Sequence, residues 1–324
     1  MRIRNLTRAL AAAPLLTGLA LAGCGGSSAT TDSASGAGAP NLTVSASGAF
    51  DHAPSVSIPA MRASANLVGR TLVTGTGATV TAGNAMLADY VLYTWDGAKH
   101  KLIDSSYSRN QPNMFASVPS MPGLQKTLVG LKAGSRELVV IPPKFGLGTA
   151  GNSKLGVTGT TTLVAVFDIL GSYSPSAIAS GATVSSGGGT LPKVTTPTSA
   201  GPTVVFPKNG PPASLVTQTL IKGNGRAVTK DDYIIAQYVG YDWRTGKSFD
   251  SSWSRGSLLS SPLKQLIPGW TNGLSGQTVG SRVMLVVPAS QAYGSKGTPD
   301  GTIKGGDTLV FVIDIIDALS LPAS

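Results

Sequence analysis

The residues best suited to chemistry lie in the second half of the chain, between Tyr233 and Phe311. Four apolar or aromatic side chains recur at separate points of this stretch: Phe249, Ile267, Trp270 and Phe311. Asp250 and Tyr293 add a carboxylate and a hydroxyl beside them. A concave apolar site with a few converging polar groups is the usual form of a small-ligand site. The sequence therefore predicts a pocket with apolar walls and a polar rim.

Residue counts argue against several other chemistries. The chain of 324 residues has one cysteine, Cys24, and two histidines, His52 and His100. Neither histidine has a cysteine, histidine or carboxylate at metal-ligand spacing, and no nucleophile-elbow pattern accompanies them. The net charge of +10 comes from Lys and Arg residues that occur singly, without interleaved aromatic residues. We therefore expect no metal site, no cofactor and no nucleic-acid binding.

The chain begins with a predicted signal peptide, residues 1–23. Its positive start comes from three arginines: Arg2, Arg4 and Arg8. The apolar run Ala9–Ala22 follows and is too short to span a membrane, which needs about 20 apolar residues. The segment ends in Leu21-Ala22-Gly23-Cys24, which resembles the lipobox of bacterial lipoproteins.

The lipobox resemblance implies that Cys24 is lipidated and becomes the new N-terminus. Acyl chains on Cys24 would attach the protein to the outer side of a membrane in the bacterial cell envelope, through the lipid anchor only. The alternative is an ordinary secretory signal with a chance cysteine. Residues 24–47 are rich in Gly, Ser, Ala and Thr, which predicts a flexible tether.

From about Gly48 the chain repeats itself once. Ile103–Ser106 parallels Phe249–Ser252, and Met121–Leu124 parallels Ile267–Trp270, both at an offset of 146 residues. Segments closer to the start of each copy match at an offset of 148. A nearly constant offset of this length indicates tandem domains, whereas short solenoid repeats have a much shorter period.

The repeat and the composition together predict the domain boundaries. A content of 41% hydrophobic and 12% charged residues favours globular domains over a disordered chain. We predict a first domain at 48–173 and a second at 202–320. Residues 174–201, with Gly187-Gly188-Gly189 and scattered Pro, Ser and Thr, are predicted to be a linker.

Each copy is predicted to be mostly β-strand. In the second copy the strand-like runs are Asp232–Tyr241, Ser281–Val287 and Thr308–Ile316, with Gly and Pro between them. The one predicted helix begins at Pro268, where proline suits the first turn, and stops at Gly276. A short helix packed on an antiparallel sheet is an α+β fold.

At these residues the second copy resembles the FKBP-type peptidyl-prolyl cis-trans isomerases. The resemblance spans about Ser214 to Leu319 and depends on an ordered set of motifs: Tyr238-x-Gly240, Gly246–Ser252, Arg255, Ile267–Trp270, Val279–Arg282, Ala292–Gly294 and Thr308–Phe311. It implies two tandem FKBP-like domains. Each would be a bent antiparallel half-barrel of five or six strands wrapped on one short helix, with the pocket between them.

The resemblance carries the family's pocket residues over to ten positions. Five are assigned to catalysis: Phe249, Asp250, Ile267, Trp270 and Tyr293. Five are assigned to substrate binding: Tyr238, Arg255, Leu266, Ile303 and Phe311. Trp270 would form the floor beneath a proline ring, and Ile267 N–H with the Tyr293 hydroxyl would bind substrate carbonyls. Asp250, held by Arg255, would accept hydrogen bonds at the rim.

Two observations stand against a simple transfer of these roles. Taken singly, Phe249, Trp270 and Phe311 are better explained as ordinary core residues, and only their ordered combination favours a pocket. The sequence also departs from the family between Arg255 and Leu266, where Leu258 and Leu259 stand at a place that the family tends to fill with Phe.

The first copy lacks much of the motif set. Tyr90, Asp104 and Arg109 remain. Four replacements are predicted: Ile103 for Phe249, Leu124 for Trp270, Phe145 for Tyr293 and Ala165 for Phe311. The floor and wall become smaller and the hydroxyl is absent, so we predict a folded domain with weak or no catalysis.

Two functions remain open at this point. The resemblance implies an envelope-anchored prolyl isomerase that acts on proline-containing segments of exported proteins and binds macrolide inhibitors. Rotation about an X–Pro bond breaks no covalent bond, so it needs no nucleophile, metal or cofactor. The alternative is a non-catalytic, chaperone-like lipoprotein that holds peptides in both pockets.

Overall fold

The computed structural model describes residues 40–119, 121–184, 188–195 and 201–321. The chain forms two compact units that divide between Ser174 and Pro175. The predicted signal peptide, Cys24 and the first part of the predicted tether lie outside the described residues. No helix in the described part of the chain is long and apolar enough to cross a membrane.

The first unit is an antiparallel sheet with a short helix on it and a separate hairpin. Its elements are β1 (Ser45–Ser47), β2 (Ser55–Ser57), β3 (Val68–Val73), β4 (Ala85–Asp96), β5 (Lys99–Ser105), β6 (Asn113–Phe115), α1 (Pro122–Leu128), β7 (Arg136–Ile141) and β8 (Thr162–Tyr173). The strand order is β3-β7-β8-β4-β5, and β6 pairs with β4 beside the end of β5. The helix α1 packs against β7 and β3.

The second unit repeats this plan with additional elements. They are β9 (Gly181–Thr183), β10 (Lys193–Val194), β11 (Val204–Val205), β12 (Val216–Gly223), β13 (Tyr233–Asp242), β14 (Ser248–Ser251), α2 (Ser252–Arg255), β15 (Leu259–Pro262), α3 (Pro268–Leu274), β16 (Arg282–Val287) and β17 (Leu309–Leu319). The order is β14-β13-β17-β16-β12-β9, with β15 pairing β13. The predicted α+β fold of tandem domains is confirmed. The second sheet has seven strands because β9 is added at the β12 edge.

Both faces of the second sheet are buried. Along β17, Phe311 and Ile313 join the core that contains Trp270 of α3. Val310 and Val312 join a separate cluster that contains residues of β10 and β11. Alternate residues of a strand point to opposite faces, so the helix covers one face and the hairpin β10–β11 the other.

The helix α3 follows from its sequence as predicted. Pro268 occupies the first turn, where its missing N–H is not needed, and the helix ends at Leu274. Gly276 follows with a φ of +84°, a conformation that glycine adopts without strain. Trp270 and Leu274, four residues apart, lie on one face and are both buried.

The predicted tether is wrong for its last eight residues. Residues 40–43 form a short 3-10 turn and residues 45–47 form β1, which pairs with β2. Val44 is completely buried in the cluster on one face of the first sheet. The Asn41 side chain donates a hydrogen bond to the Asn66 carbonyl at 2.6 Å. These contacts make residues 40–47 part of the first unit.

The predicted linker, residues 174–201, is also wrong for its described residues, which are folded against the second sheet. Residues 181–183 form β9, which pairs with β12, and β10 pairs with β11. Ala179 is buried, and its N–H donates to the Asp314 carboxylate at 2.8 Å. The described residues between 175 and 201 therefore belong to the second unit, because burial and strand pairing fix them there.

The hairpins extend the internal repeat beyond its predicted start. In β1–β2, Ala46 faces Val56, and in β10–β11, Val194 faces Val204, so both partners are shifted by 148 residues. Each hairpin covers the sheet face opposite the helix of its unit. The duplicated segment therefore includes an N-terminal hairpin. No motif marks the hairpin in the sequence, because it needs only small or branched residues at its buried positions.

Candidate functional site

A pocket lies in the second unit between the sheet and the start of α3. Nine residues line it: Tyr238, Phe249, Asp250, Leu259, Leu266, Ile267, Trp270, Tyr293 and Phe311. They come from four strands, from α3 and the turn before it, and from the loop that follows β16. The space measures about 330 Å³ when it is counted out to the open mouth.

The base of the pocket is a cluster of aromatic rings. Trp270 is 4% exposed, and its ring meets those of Tyr238 and Phe311 edge-to-face, at centroid distances of 5.3 and 5.4 Å. Phe311 also meets Phe249 edge-to-face at 5.8 Å. Edge-to-face pairs are favoured by the ring quadrupoles, so each ring restrains the orientation of the next. The result is a rigid apolar floor with two aromatic walls.

A glycine makes room for these walls. Gly240 on β13 pairs with Phe311 on β17. A Cβ atom at Gly240 would lie 2.5 Å from the Phe249 ring and 3.0 Å from the Phe311 ring. Any larger residue at this position would have to displace both rings, so the pocket depends on glycine here.

The rim is a closed hydrogen-bonded group of three side chains. The Tyr238 hydroxyl and the Arg255 Nη1 donate to the two carboxylate oxygens of Asp250. Arg255 Nη2 also donates to the Tyr238 hydroxyl oxygen at 3.0 Å, and its guanidinium lies 5.3 Å from the centre of the Tyr238 ring. Burial raises the pKa of Tyr238, so its hydroxyl keeps its proton at neutral pH.

Among the hydrogen-bond donors of the lining residues, the Tyr293 hydroxyl and the backbone N–H of Ile267 at the start of α3 have no partner in the described part of the chain. Burial, with a smaller effect of the Asp300 carboxylate, raises the pKa of Tyr293 to about 12. The hydroxyl therefore stays protonated, and both groups can donate to a carbonyl oxygen in the pocket.

The structure brings eight of the ten predicted site residues to the pocket lining. Arg255 lies behind the lining and contacts Asp250. Ile303 is 4% exposed and belongs to the core around Trp270, outside the lining. Leu259 lines the pocket although it was not among the predicted site residues. Its pairing with Ala236 on β13 decides this, whereas the sequence left Leu258 and Leu259 as equal candidates.

The first unit has the same rim. The Tyr90 hydroxyl donates to Asp104, Arg109 Nη1 donates to the same carboxylate, and Arg109 Nη2 donates to the Tyr90 oxygen at 3.2 Å. The guanidinium lies 5.8 Å from the Tyr90 ring centre. The three side chains therefore keep their arrangement in a unit whose pocket residues differ.

The floor of the first unit is built differently. Leu92 pairs with Ala165 at the position where Gly240 pairs with Phe311, so the large side chain has moved to the neighbouring strand. Leu124, 3% exposed, stands in place of the indole. The Tyr90 ring instead contacts the rings of Phe115 and Phe167, each at 5.8 Å.

The predicted counterpart of Tyr293 in the first unit is wrong. Gly146 has φ and ψ of −109° and −122°, which match Ala292 at −123° and −110°. The next glycines, Gly148 and Gly294, have φ of +61° and +62°. The backbone therefore makes Leu147 the counterpart of Tyr293. Phe145 is the counterpart of Gln291. The sequence pair Phe145-Gly146 resembles Tyr293-Gly294, but it lies two residues earlier in its turn.

Comparisons with known proteins identify both copies. The family of FKBP-type peptidyl-prolyl cis-trans isomerases matches residues 77–169 and 224–316, which together are more than half of the chain. An FK506-binding protein of Streptomyces anulatus is 40% identical over 117 residues, 36% of this chain and 94% of that protein. A probable FK506-binding protein of Corynebacterium glutamicum is 41% identical over 117 residues, 36% of this chain and 98% of that protein.

A longer relative matches over one domain. FkpA of Escherichia coli is 39% identical over 108 residues, which are 33% of this chain and 39% of that protein. Its crystal structure superposes with a TM-score of 0.32, covering 33% of this chain and 49% of the other.

Proposed function

This chain belongs to the family of FKBP-type peptidyl-prolyl cis-trans isomerases, and from that premise we propose that its second unit carries the catalytic activity. The observation that carries the proposal is the pocket itself. It combines a buried indole floor, aromatic walls and two unused hydrogen-bond donors. The first unit shares the rim of this arrangement but has neither the indole nor the phenol.

The reaction requires stabilisation of a twisted amide. Rotation about the X–Pro bond breaks amide resonance, and without a catalyst the exchange takes tens to hundreds of seconds. No bond to carbon forms or breaks. A binding site therefore accelerates the reaction by holding the half-rotated bond more tightly than the planar one.

The pocket residues have separate parts in this binding. The proline ring lies on Trp270 between the aromatic walls, where water is excluded. Ile267 N–H and the Tyr293 hydroxyl donate to the carbonyl oxygens on either side of the rotating bond and hold them in the twisted geometry. Asp250 is fixed by Tyr238 and Arg255. It presents its remaining lone pairs at the rim to donors of the peptide.

The first unit is proposed to be weak or inactive as an isomerase. It has Leu124 in place of the indole and Leu147 in place of the phenol, so it lacks the floor and one donor. Its intact rim favours a second candidate function, in which the first unit holds proline-containing peptides without turnover.

The substrates are proposed to be exported proteins. The lipobox-like end of the signal peptide at Cys24 supports a lipid anchor on the outer side of a bacterial membrane. Mass spectrometry of the mature N-terminus tests this: an acylated Cys24 is expected, and an unmodified Cys24 or cleavage at another residue would contradict it.

A protease-coupled assay of X-Pro isomerisation, with and without a macrolide inhibitor, tests the assignment. Asp250→Ala and Trp270→Ala in the full chain are expected to lower kcat/KM with the fold retained. Asp104→Ala and Leu124→Ala, the same changes in the first unit, are the matched controls and should leave turnover unchanged. Wild-type turnover in both second-unit variants would refute catalysis by this pocket.

A further inference from the structure

A buried serine fills a gap at the edge of the second sheet, directly behind the pocket rim. The strand β15 pairs with β13 at residues 233–236, and β14 pairs with it at residues 239–241. The N–H of Tyr238 falls between these two stretches and donates to Ser252 Oγ at 2.8 Å. Ser252 is completely buried, so this hydroxyl replaces a missing strand partner.

The serine is itself held by a buried amide. Its hydroxyl donates to Gln237 Oε1, and Gln237 Nε2 donates to the Pro175 carbonyl at 2.8 Å. Gln237 is 1% exposed. An amide can accept from the serine and donate to the carbonyl at once, which a carboxylate cannot. A continuous hydrogen-bonded path therefore runs from Pro175 to the backbone of Tyr238.

The hydrogen-bonded path ends at the segment that carries the rim residues Asp250 and Arg255. Ser252 is the first residue of α2, the short helix that carries Arg255 in its last position. Asp250 precedes it by two residues on β14. Fixing Ser252 against the Tyr238 backbone thus fixes the turn that brings Asp250 and Arg255 to the Tyr238 hydroxyl.

We propose that Ser252 and Gln237 are positioning residues of the isomerase site, an inference that rests on the proposed catalytic role of the second unit. They touch no substrate. They hold the turn at α2 so that the carboxylate and guanidinium meet the phenol in one arrangement. Loss of the path lets the turn shift, and the rim then presents Asp250 in several orientations, which lowers the fraction of productive complexes.

The first unit provides a matched control. Ser106 Oγ accepts the Tyr90 N–H at 2.8 Å and donates to Asp89 Oδ1 at 2.5 Å. Ser106 is also completely buried. Ser106→Ala therefore removes the same backbone contact as Ser252→Ala, and a hydrogen bond to a carboxylate in place of one to an amide, from a unit without the aromatic floor.

The experiment compares Ser252→Ala, Ser252→Thr and Ser106→Ala in the full chain. We expect Ser252→Ala to lower kcat/KM about tenfold through kcat, with KM little changed, because a buried hydrogen bond that orients a reacting site is lost. Ser252→Thr keeps the hydroxyl and should restore most of the turnover. Ser106→Ala should leave turnover at the wild-type value while destabilising its own unit at least as much, because the buried Asp89 carboxylate loses a donor.

A second readout separates positioning from stability alone. The carbon-13 resonance of the Tyr238 phenol carbon, which reports on the hydroxyl's hydrogen bond to Asp250, should shift in Ser252→Ala and stay unchanged in Ser106→Ala. If Ser252→Ala unfolds the second unit, Gln237→Met replaces it. This variant keeps the side-chain length and removes both amide hydrogen bonds, and a loss of turnover of about threefold is expected.

The inference and the proposed function fail in different ways. If Trp270→Ala abolishes turnover while the folded serine or glutamine variant keeps wild-type kcat/KM and an unchanged Tyr238 resonance, the positioning role is overturned and the assignment of the pocket stands. If Trp270→Ala keeps wild-type turnover, the proposed function itself fails.

Discussion

The two units hold a tyrosine, an aspartate and an arginine in the same hydrogen-bonded arrangement, but different side chains lie beneath it. In the second unit the ring below Tyr238 is the indole of Trp270, whereas in the first unit Tyr90 contacts Phe115 and Phe167. The rim is local, because the aspartate and arginine are only five residues apart. The floor combines side chains from several distant elements. A shared rim therefore indicates a shared fold, and the proposed function places the difference in activity in the floor.

At the pocket wall, the two units place the larger side chain of a facing pair on opposite strands. Gly240 faces Phe311 in one unit, and Leu92 faces Ala165 in the other. Each pair fills the space between the same two strands, and in the second unit the glycine leaves the Phe311 ring beside the pocket. Core packing tolerates such exchanges when total volume is kept, so stability alone does not require a pocket.

The largest expected effect comes from placing the first unit's residue in the second. Gly240→Leu should lower kcat/KM by about a hundredfold, because its side chain would displace both aromatic walls and close the pocket. A protease-coupled assay measures this. The matched change Leu92→Gly should leave turnover unchanged and destabilise the first unit by about 2 to 4 kcal/mol in denaturant unfolding.

A compensating variant sharpens this result. Gly240→Leu combined with Phe311→Ala and Phe249→Ile recreates the residues of the first unit and removes both clashes, so it should recover stability without recovering turnover. Recovery of turnover as well would show that the aromatic wall is dispensable and that volume alone matters.

The next effect concerns the donor that the first unit lacks. Tyr293→Phe should lower kcat/KM about tenfold, since it removes one hydrogen bond to the twisted amide and little packing. Tyr293→Leu, the residue of the first unit, should be at least as severe. Leu147→Tyr in the first unit should add no turnover there, because the indole is still absent; a gain of activity would contradict the floor's importance.

The first unit has a buried carboxyl group, Glu137, that the second unit lacks. We therefore predict that the stability of the first unit depends on pH. Glu137 is 3% exposed, and burial raises its pKa to about 7. Between its unfolded value of 4.5 and about 7 the folded state binds more protons than the unfolded state. The free energy of unfolding of the first unit should therefore fall as the pH rises through this window and then level off.

Thermal unfolding at pH 5 and pH 8 measures this effect. Glu137→Gln should stabilise the first unit at pH 8 by at most about 3 kcal/mol, and much less at pH 5. The transition of the second unit, which has Val283 at the corresponding position, is the internal control. An equal gain at both pH values would rule out titration of Glu137 as the cause.

The smallest expected effect is at the contact between each helix and the turn after the following strand. In the second unit, Asn272 Nδ2 donates to Gln291 Oε1 at 2.9 Å. At the same place in the first unit, the Lys126 ammonium lies 5.2 Å from the centre of the Phe145 ring. Lys126→Met should cost about 0.5 to 1 kcal/mol and Asn272→Ala a similar amount, by denaturant unfolding. A cost above about 2 kcal/mol at Lys126 would mean that its alkyl chain, rather than its charge, makes the contact.

Much of the fold and of the site was predictable because the signals were local. The strands β13, β16 and β17 follow from alternating apolar residues, and α3 follows from Pro268 and Gly276. The internal repeat gave the tandem arrangement without any structure. The contact of Arg255 with Asp250 was also expected, but from the family resemblance and not from a local signal.

Other features depended on contacts between distant residues. The hairpins β1–β2 and β10–β11 have the composition of a flexible segment, and only burial against a sheet face reveals that they are folded. Leu259 enters the pocket through strand register, and Leu147 replaces Tyr293 through the backbone angles of a turn. Strand register leaves no mark in residue type, whereas the repeat offset of 146 residues already aligns Leu147 and Gly148 with Tyr293 and Gly294 in the sequence.

The sequence by itself determined which residue types are present, the order of the strands along the chain and the family to which both copies belong. Only the tertiary structure decided which side chains share the pocket and which fill it, and which serine and amide hold its rim from behind. The physical reason is that secondary structure responds to neighbours a few residues away, whereas an enclosed space is defined by atoms from strands that pair across the sheet and by the volumes they leave empty.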